Sequence, residues 1–321
     1  MPTNRRRTIA LVAAAALCAG CGTGPVRPGP TTPSPAAVAR AADGSASPGT
    51  PSPPPATPTT APATSAESIL PGADARAAGL GRVVVDYQLG GGYAPPAGVG
   101  GVVRDSTDSP APGLYSICYV NGFQTQPGER DTWLGEHPDL VLRDAGGRVV
   151  ADPGWPDELL LDTSTADRRA RLADVLTPVL ARCARAGFDA VELDNLDSYT
   201  RSGGLLTADD ALATAAGYVA VAHGLGLAVG QKNAADLARR GRDEVGFDFA
   251  VTEECHRWDE CAAYTGVYGD QVIDVEYADD LRGTFAEVCA DPQTPWSTVL
   301  RDRDLTTPAS GAHVLETCPR G

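Results

Sequence analysis

Residues 188–199 read FDAVELDNLDSY, a strand-like run that also carries Glu192, Asp194 and Asp197. Taking a charge out of water is costly unless it is paired, so acids in such a segment need a reason. Successive strand side chains alternate faces. Ala190, Glu192 and Asp194 therefore share one face, and Val191 and Leu193 the other. A second run, FDFAVTEE at 247–254, ends in Glu253 and Glu254, and GLAVGQKN between the two carries Lys232, the only lysine in the chain. Two carboxyl groups facing each other across a pocket can break a glycosidic bond: one protonates the leaving oxygen, and the other attacks the sugar carbon or activates water. Asp194 and one member of the Glu253–Glu254 pair suit those roles. Alternation groups Asp248, Ala250, Thr252 and Glu254 as the more polar face and so favours Glu254.

The elements that must position these groups are eight short runs rich in Val, Ile, Tyr and Phe, at 82–88, 101–105, 114–120, 188–194, 226–232, 247–253, 271–277 and 295–301. Helical patterns separate the later ones. Residues 166–186 place Leu172, Val175, Leu176, Val179 and Leu180 on a helical repeat before Gly187, and Thr207 with Asp210 forms a capped start for a helix ending near Gly224. Shorter helices are expected at 234–240 and 281–290. Strands alternating with helices imply a parallel α/β sheet, and eight of them suit a closed (β/α)8 TIM barrel. The links between the first three runs are short and carry no helical pattern, so the first two crossover helices are expected to be reduced or missing. Residues 121–187 hold one helix and a long loop, in which Trp133 and Trp155 are candidates to stack on sugar faces.

The same face argument applied to other strands puts Val84, Asp86 and Gln88 inside, with Val83, Val85 and Tyr87 outside. It puts Ala228, Gly230 and Lys232 inside, and likewise Val272, Asp274 and Glu276, against Ile273, Val275 and Tyr277. Polar groups would then gather at the C-terminal strand ends, where barrel enzymes build their sites.

The chain has 321 residues and a formal charge of −15. An acidic chain is a poor partner for nucleic acid and would attract a cationic substrate. Arg5, Arg6 and Arg7 precede an apolar run to Leu17 and then Cys18-Ala19-Gly20-Cys21, a signal pattern of the lipoprotein type with Cys21 as the lipidated residue. Residues 22–78, rich in Pro, Thr, Ala and Ser, read as a disordered tether, and 79–321 as the folded domain. The expected location is outside the cell, anchored to the outer face of the membrane through the N-terminal lipid alone. Six cysteines remain after the signal: Cys118, Cys183, Cys255, Cys261, Cys289 and Cys318. Their even number fits disulfides, with Cys255–Cys261 and Cys289–Cys318 the expected pairs. No CxxC pair occurs among these six and the histidines are scattered, so neither a zinc site nor a cofactor is expected. Asp194, Asp197 and Glu276 beside Lys232 leave open a magnesium-dependent barrel enzyme, and a non-catalytic carbohydrate-binding barrel is a third reading. A monomer is expected.

The motifs GFDAVELDNLDSY, GLAVGQKN, FDFAVTEEC and VIDVEY together resemble, in order and spacing, the strand-end motifs of glycoside hydrolase family 114, over roughly residues 80–280. The resemblance implies a (β/α)8 barrel of the endo-α-1,4-polygalactosaminidase type, in an actinobacterial lipoprotein branch. The family's EPDN reads ELDN here and sets its catalytic Asp on Asp194. Its NEQC reads TEEC and sets its catalytic Glu on Glu253, against the alternation argument. Asp194 is then the nucleophile and Glu253 the acid/base. Asp86, Tyr119, Asn195, Asp197, Tyr199, Lys232, Glu254 and Glu276 would line subsites for a polysaccharide bearing free amines.

Overall fold

The structure, a computed structural model, describes residues 77–319. The signal segment, Cys21 and all of the tether up to residue 76 lie outside the described residues.

Eight parallel strands follow one another in sequence order: β1 (Val85–Tyr87), β2 (Gly101–Asp105), β3 (Tyr115–Asn121), β4 (Ala190–Asp194), β5 (Ala228–Lys232), β6 (Phe249–Glu253), β7 (Val272–Tyr277) and β8 (Ser297–Arg301). A short β9 (Leu315–Thr317) runs antiparallel to β8. The ring closes through side chains. The amide of Val85 donates to Ser297 Oγ at 3.0 Å, and Arg301 pairs with Asp86 at 3.0 Å with both side chains fully buried. This is a (β/α)8 barrel. As the short links predict, no helix separates β1 from β2 or β2 from β3.

The first helix, α1 (Arg130–Glu136), belongs to the long β3–β4 connection. There, isolated antiparallel bridges such as Ala151 with Leu159 and Gln124 with Leu160 fold the loop back on itself. The helix α2 (Ala166–Ala186) starts on a Thr165 cap and stops where Gly187 turns left-handed at φ 94°. It buries Leu172, Leu176, Leu180 and Cys183. The helix α3 (Ala208–Gly224) opens on a Thr207–Asp210 capping box. Beyond β6 come α4 (Cys255–Trp258) and α5 (Cys261–Tyr268), and after β7 comes α6 (Phe285–Ala290). Disulfides join Cys255 to Cys261 and Cys289 to Cys318, the two expected pairs, and Cys118 of β3 to Cys183 of α2.

The barrel interior is filled by Val85, Tyr87, Val103, Ile117, Ala190, Ala228, Phe249, Val251, Ile273, Val275, Tyr277 and Val299. Ala77 and Leu80, ahead of β1, join the same cluster. Val191, Leu193 and Val229 belong instead to the layer under α2 and α3. The expected faces of β4 and β5 are therefore those observed, while those of β1, β6 and β7 are corrected. In these three strands the apolar set points inward and the polar set outward. For β7 the physical reason lies in what meets its polar positions: Asp274 and Glu276 on its outer face accept backbone N–H groups of α4, while Ala250 of β6 and Val272 of β7 pack with Tyr264 and Tyr268 of α5. Cys255 N donates to Asp274 Oδ1 at 3.2 Å and His256 N to Glu276 Oε1 at 2.8 Å. Asp248 accepts from Val229 N at 2.8 Å. Each outward carboxyl thus has partners in place of water.

Candidate active site

At the C-terminal end of the barrel, Lys232 stands at the centre of three carboxyl groups. Its Nζ lies 2.9 Å from Glu192 Oε1, 3.3 Å from Asp194 Oδ1 and 3.5 Å from Glu253 Oε2. The Tyr87 hydroxyl accepts from the same ammonium at 3.0 Å and donates to Glu192 at 2.6 Å. Space for this arrangement comes from Gly230, opposite Glu192 in the ladder: a Cβ there would stand 2.4 Å from the Phe249 ring.

Each of the two outer acids is clamped. Asp194 accepts from the Tyr119 hydroxyl and, at 2.8 Å, from the Asn195 amide. Glu253 accepts from the Tyr277 hydroxyl at 2.5 Å and from Asn233 Nδ2 at 3.1 Å, while its own amide donates to Asn233 Oδ1 at 2.9 Å. The chain leaves β4, β5 and β6 through left-handed residues, Asn195 (φ 66°), Asn233 (φ 49°) and Glu254 (φ 60°). Non-glycine residues adopt this conformation at some cost and do so most often where function demands it. At β6 the sharp exit separates the neighbouring glutamates. Glu253 turns to Lys232, while Glu254 meets Arg303 at 2.9 Å.

The electrostatics follow from burial and the single cation. Burial pushes the Glu192 carboxyl up to about 7, against the opposing pull of Lys232. For Glu253 burial also acts upward, but Lys232, the Tyr277 hydroxyl and the Asn233 amide together hold it below the usual carboxylate range. Burial disfavours the Lys232 charge, yet Asp194, Glu192 and Glu253 outweigh it and keep the ammonium well above its ordinary value. Burial and the adjacent carboxylates raise Tyr119 and Tyr277, so both remain hydrogen-bond donors at neutral pH.

The structure brings Asp194, Glu253, Lys232, Tyr119 and Asn195 into this one cluster. Asp197, Tyr199 and Glu254 line an adjoining cavity of about 530 Å³, with Asn233, Asp236, Glu253, Trp258 and Glu260. Asp86 and Glu276 do not reach the cluster: Asp86 is spent on Arg301 and on Gln88 at 2.8 Å, and Glu276 on the turn after β6. Trp133 is buried, with its Nε1 directed at Glu129, whereas Trp155 is 63% exposed. Seven members of the site lay outside the sequence-based selection: Glu192, Tyr87, Tyr277, Asn233, Asp236, Trp258 and Glu260. Glu192 carried a usable signal, since it shares a face with Asp194. Tyr87 and Tyr277 were hidden because they alternate with acids that point the other way.

The family model for glycoside-hydrolase family GH114 matches residues 67–321. The chain belongs to this family. The GH114 domain is accordingly that of a glycoside hydrolase. Among solved structures it is similar to Aspergillus fumigatus Ega3 in complex with galactosamine, at 21% identity and a TM-score of 0.58, covering 74% of this chain and 96% of that one. The glycoside hydrolase domain of PelA from Pseudomonas aeruginosa aligns at 13% identity and a TM-score of 0.47, covering 72% and 97%. No match was found among curated proteins.

Proposed function

We propose that this GH114 domain cleaves an α-1,4-linked galactosamine-type polysaccharide, with Asp194 as nucleophile and Glu253 as acid/base. The observation that carries the reading is the shared contact of both carboxyls with Lys232 Nζ. It limits their nearest oxygens to roughly 7 Å apart, within the span over which two carboxyls act on one glycosidic bond. Asp194 receives hydrogen bonds from Tyr119 and Asn195 as well as the ammonium, which fixes its orientation. Glu253 has the more exposed side chain, 30% against 15%, and borders the cavity. It is the group that meets the glycosidic oxygen. In the covalent step a carboxylate oxygen of Asp194 bonds to the anomeric carbon as the bond to the leaving oxygen breaks. The Glu253 proton passes to that oxygen. Water, deprotonated by Glu253, then releases the sugar from Asp194 with net retention.

The cavity wall supports an amine-bearing substrate. Asp197, Asp236, Glu253, Glu254 and Glu260 line it without a lysine or arginine, and such a wall favours ammonium groups over neutral acetamides. Galactosamine in the Ega3 complex and the family match support the same choice. Placement outside the cell, with Cys21 lipidated, is part of the proposal and rests on the N-terminal sequence pattern and on the three disulfides, which persist in oxidising compartments.

The magnesium-dependent reading loses its ligand set. Glu276 is turned to the outer face of β7, and Asp197 pairs with Arg201 at 2.8 Å.

The deciding experiment incubates the full chain with α-1,4-linked galactosamine oligomers and follows the first-formed anomer by NMR. Cleavage with retention is expected. Inversion would remove the nucleophile role from Asp194. Cleavage only of neutral polymers would overturn the substrate. Binding without turnover, unchanged in Asp194→Asn, would make the domain a carbohydrate-binding barrel.

A further inference from the structure

Asp194 is followed by a residue in a conformation that side chains disfavour. Asn195 lies in the left-handed region at φ 66°, and in that conformation its amide donates to Asp194 Oδ1 at 2.8 Å. A non-glycine residue persists there only where its surroundings over-determine it. Asn195 is held from two sides. Its side chain donates through Nδ2 to Asn121 Oδ1 at 3.1 Å and accepts through Oδ1 from Arg201 Nη2 at 3.0 Å. Its carbonyl accepts from the amide and the hydroxyl of Ser198, at 3.0 and 2.7 Å.

Arg201 closes the short 3-10 helix Leu196–Arg201 that leaves β4. Its Nε lies 2.5 Å from Asp152 Oδ2, and its Nη1 donates to Asp197 Oδ2 at 2.8 Å. Each of the three guanidinium nitrogens thus meets a different residue. Asp152, from the β3–β4 connection, is a firm anchor. It is buried, Gly154 N and Trp155 N donate to its Oδ1 at 2.8 and 3.2 Å, and Gln124 Nε2 donates to its Oδ2 at 2.8 Å. The same Gln124 nitrogen donates to Ser198 Oγ at 3.0 Å. Burial acts upward on the Asp152 carboxyl, but Gln124, the Gly154 amide and Arg201 outweigh it and hold it below the usual aspartate range. The anchor is therefore charged at neutral pH. A planar fork with three directed contacts fixes orientation as well as position, which an ammonium on a flexible stem does not. Arg201 is not among the residues lining the cavity, so it reaches the chemistry only through what it holds.

We propose that Arg201 is a positioning residue for the nucleophile: by clamping Asn195 against Asp152 it aims the Asn195 amide at Asp194 Oδ1, and so sets the direction from which the carboxylate meets the anomeric carbon. The proposal rests on the glycosidase reading with Asp194 as nucleophile and adds to it the group that governs the nucleophile's aim. Reacting atoms must approach to roughly 3–3.5 Å with their orbitals aligned, and small misplacements from distant changes are costly in rate.

The test measures kcat and KM of the full chain on galactosamine oligomers for Arg201→Lys, Asn195→Gly and the double variant. Arg201→Lys keeps a cation for Asp152 and Asp197 but loses the fork. Asn195→Gly keeps the amide, suits a left-handed turn and removes only the clamped side chain, so it decides alone if Arg201→Lys does not fold. Each single variant should lower kcat about tenfold with KM little changed. The double variant should be no slower than the slower single one, because both changes cut the same connection. Losses that multiply, or an unchanged kcat in Asn195→Gly, would overturn the proposal. So would a raised KM with unchanged kcat in Arg201→Lys, which would place the effect on Asp197 at the cavity wall. In each of those cases an inactive Asp194→Asn leaves the glycosidase reading standing, whereas an active Asp194→Asn would overturn both.

Discussion

Lys232 and Glu192 form a buried ion pair at 2.9 Å, both less than 5% exposed, beneath the two carboxyls assigned to catalysis. One cation thus serves three acids. Lys232→Met should be severely destabilising, by about 3–5 kcal/mol, because removing one partner of a buried pair strands the other. Adding Glu192→Gln to it should recover part of that loss. Urea denaturation of the two single variants and the double variant measures the coupling.

Catalysis should fail on either side of the pair. Asp194→Asn and Glu253→Gln are each expected to lower kcat by about a thousandfold or more with the folded state retained. Glu254→Gln should lose far less, since that side chain faces Arg303. Initial rates on galactosamine oligomers, with circular dichroism as the control, check this. An inactive Glu254→Gln beside an active Glu253→Gln would reverse the assignment.

The pH profile follows from the depressed Glu253 carboxyl. A general acid must be protonated to act, so kcat/KM should fall as pH rises through a value below about 4.5, the ordinary glutamate range. Tyr277 donates to the ionised form of Glu253. Tyr277→Phe should therefore move the falling limb to higher pH; an unmoved limb would mean that another group titrates.

Stability should depend on pH in the opposite sense from a typical acidic protein. Burial raises Glu158, Glu192 and Glu276 to about 7. Between the unfolded value near 4.5 and 7 the unfolded chain releases these protons while the folded chain keeps them. Each group therefore costs stability as pH rises through that window. Glu253, with its depressed value, acts oppositely: its contribution is lost as pH falls from the unfolded value near 4.5 through its own lower one. The melting temperature should drop between pH 5 and 7.5, and Glu192→Gln should flatten that slope.

Removing divalent ions should leave hydrolysis unaffected, because the acids that would bind magnesium point to different sides of β7 and the β4 exit. Assays with and without a chelator decide it, and a rate restored by added magnesium would reinstate the metal reading.

Much of the scaffold was legible from periodicity. Seven of the barrel strands have bounds within two residues of the expected runs, β1 starts three residues later than expected, and α2 has the expected bounds, because Thr165 and Gly187 punctuate it locally. Side-chain direction was less legible. The rule that the polar face of a barrel strand points inward works for β4 and β5, whose outer faces lie under the apolar stripes of α2 and α3. It fails for β6 and β7, where Asp274 and Glu276 bind the amides of α4, and for β1, where Asp86 meets Arg301. Short elements supply these backbone donors, and no hydrophobic repeat announces them. The Glu253–Glu254 ambiguity has the same origin, since a left-handed exit at Glu254 breaks alternation just past the strand.

That the only lysine lies at the centre of the barrel mouth has a practical corollary. Every other basic side chain is an arginine or histidine, so the folded surface among the described residues presents no side-chain amine to acylating or aldehyde reagents. Such reagents would report the opening of the barrel rather than its outer face, and modification of that one amine should coincide with loss of the native state.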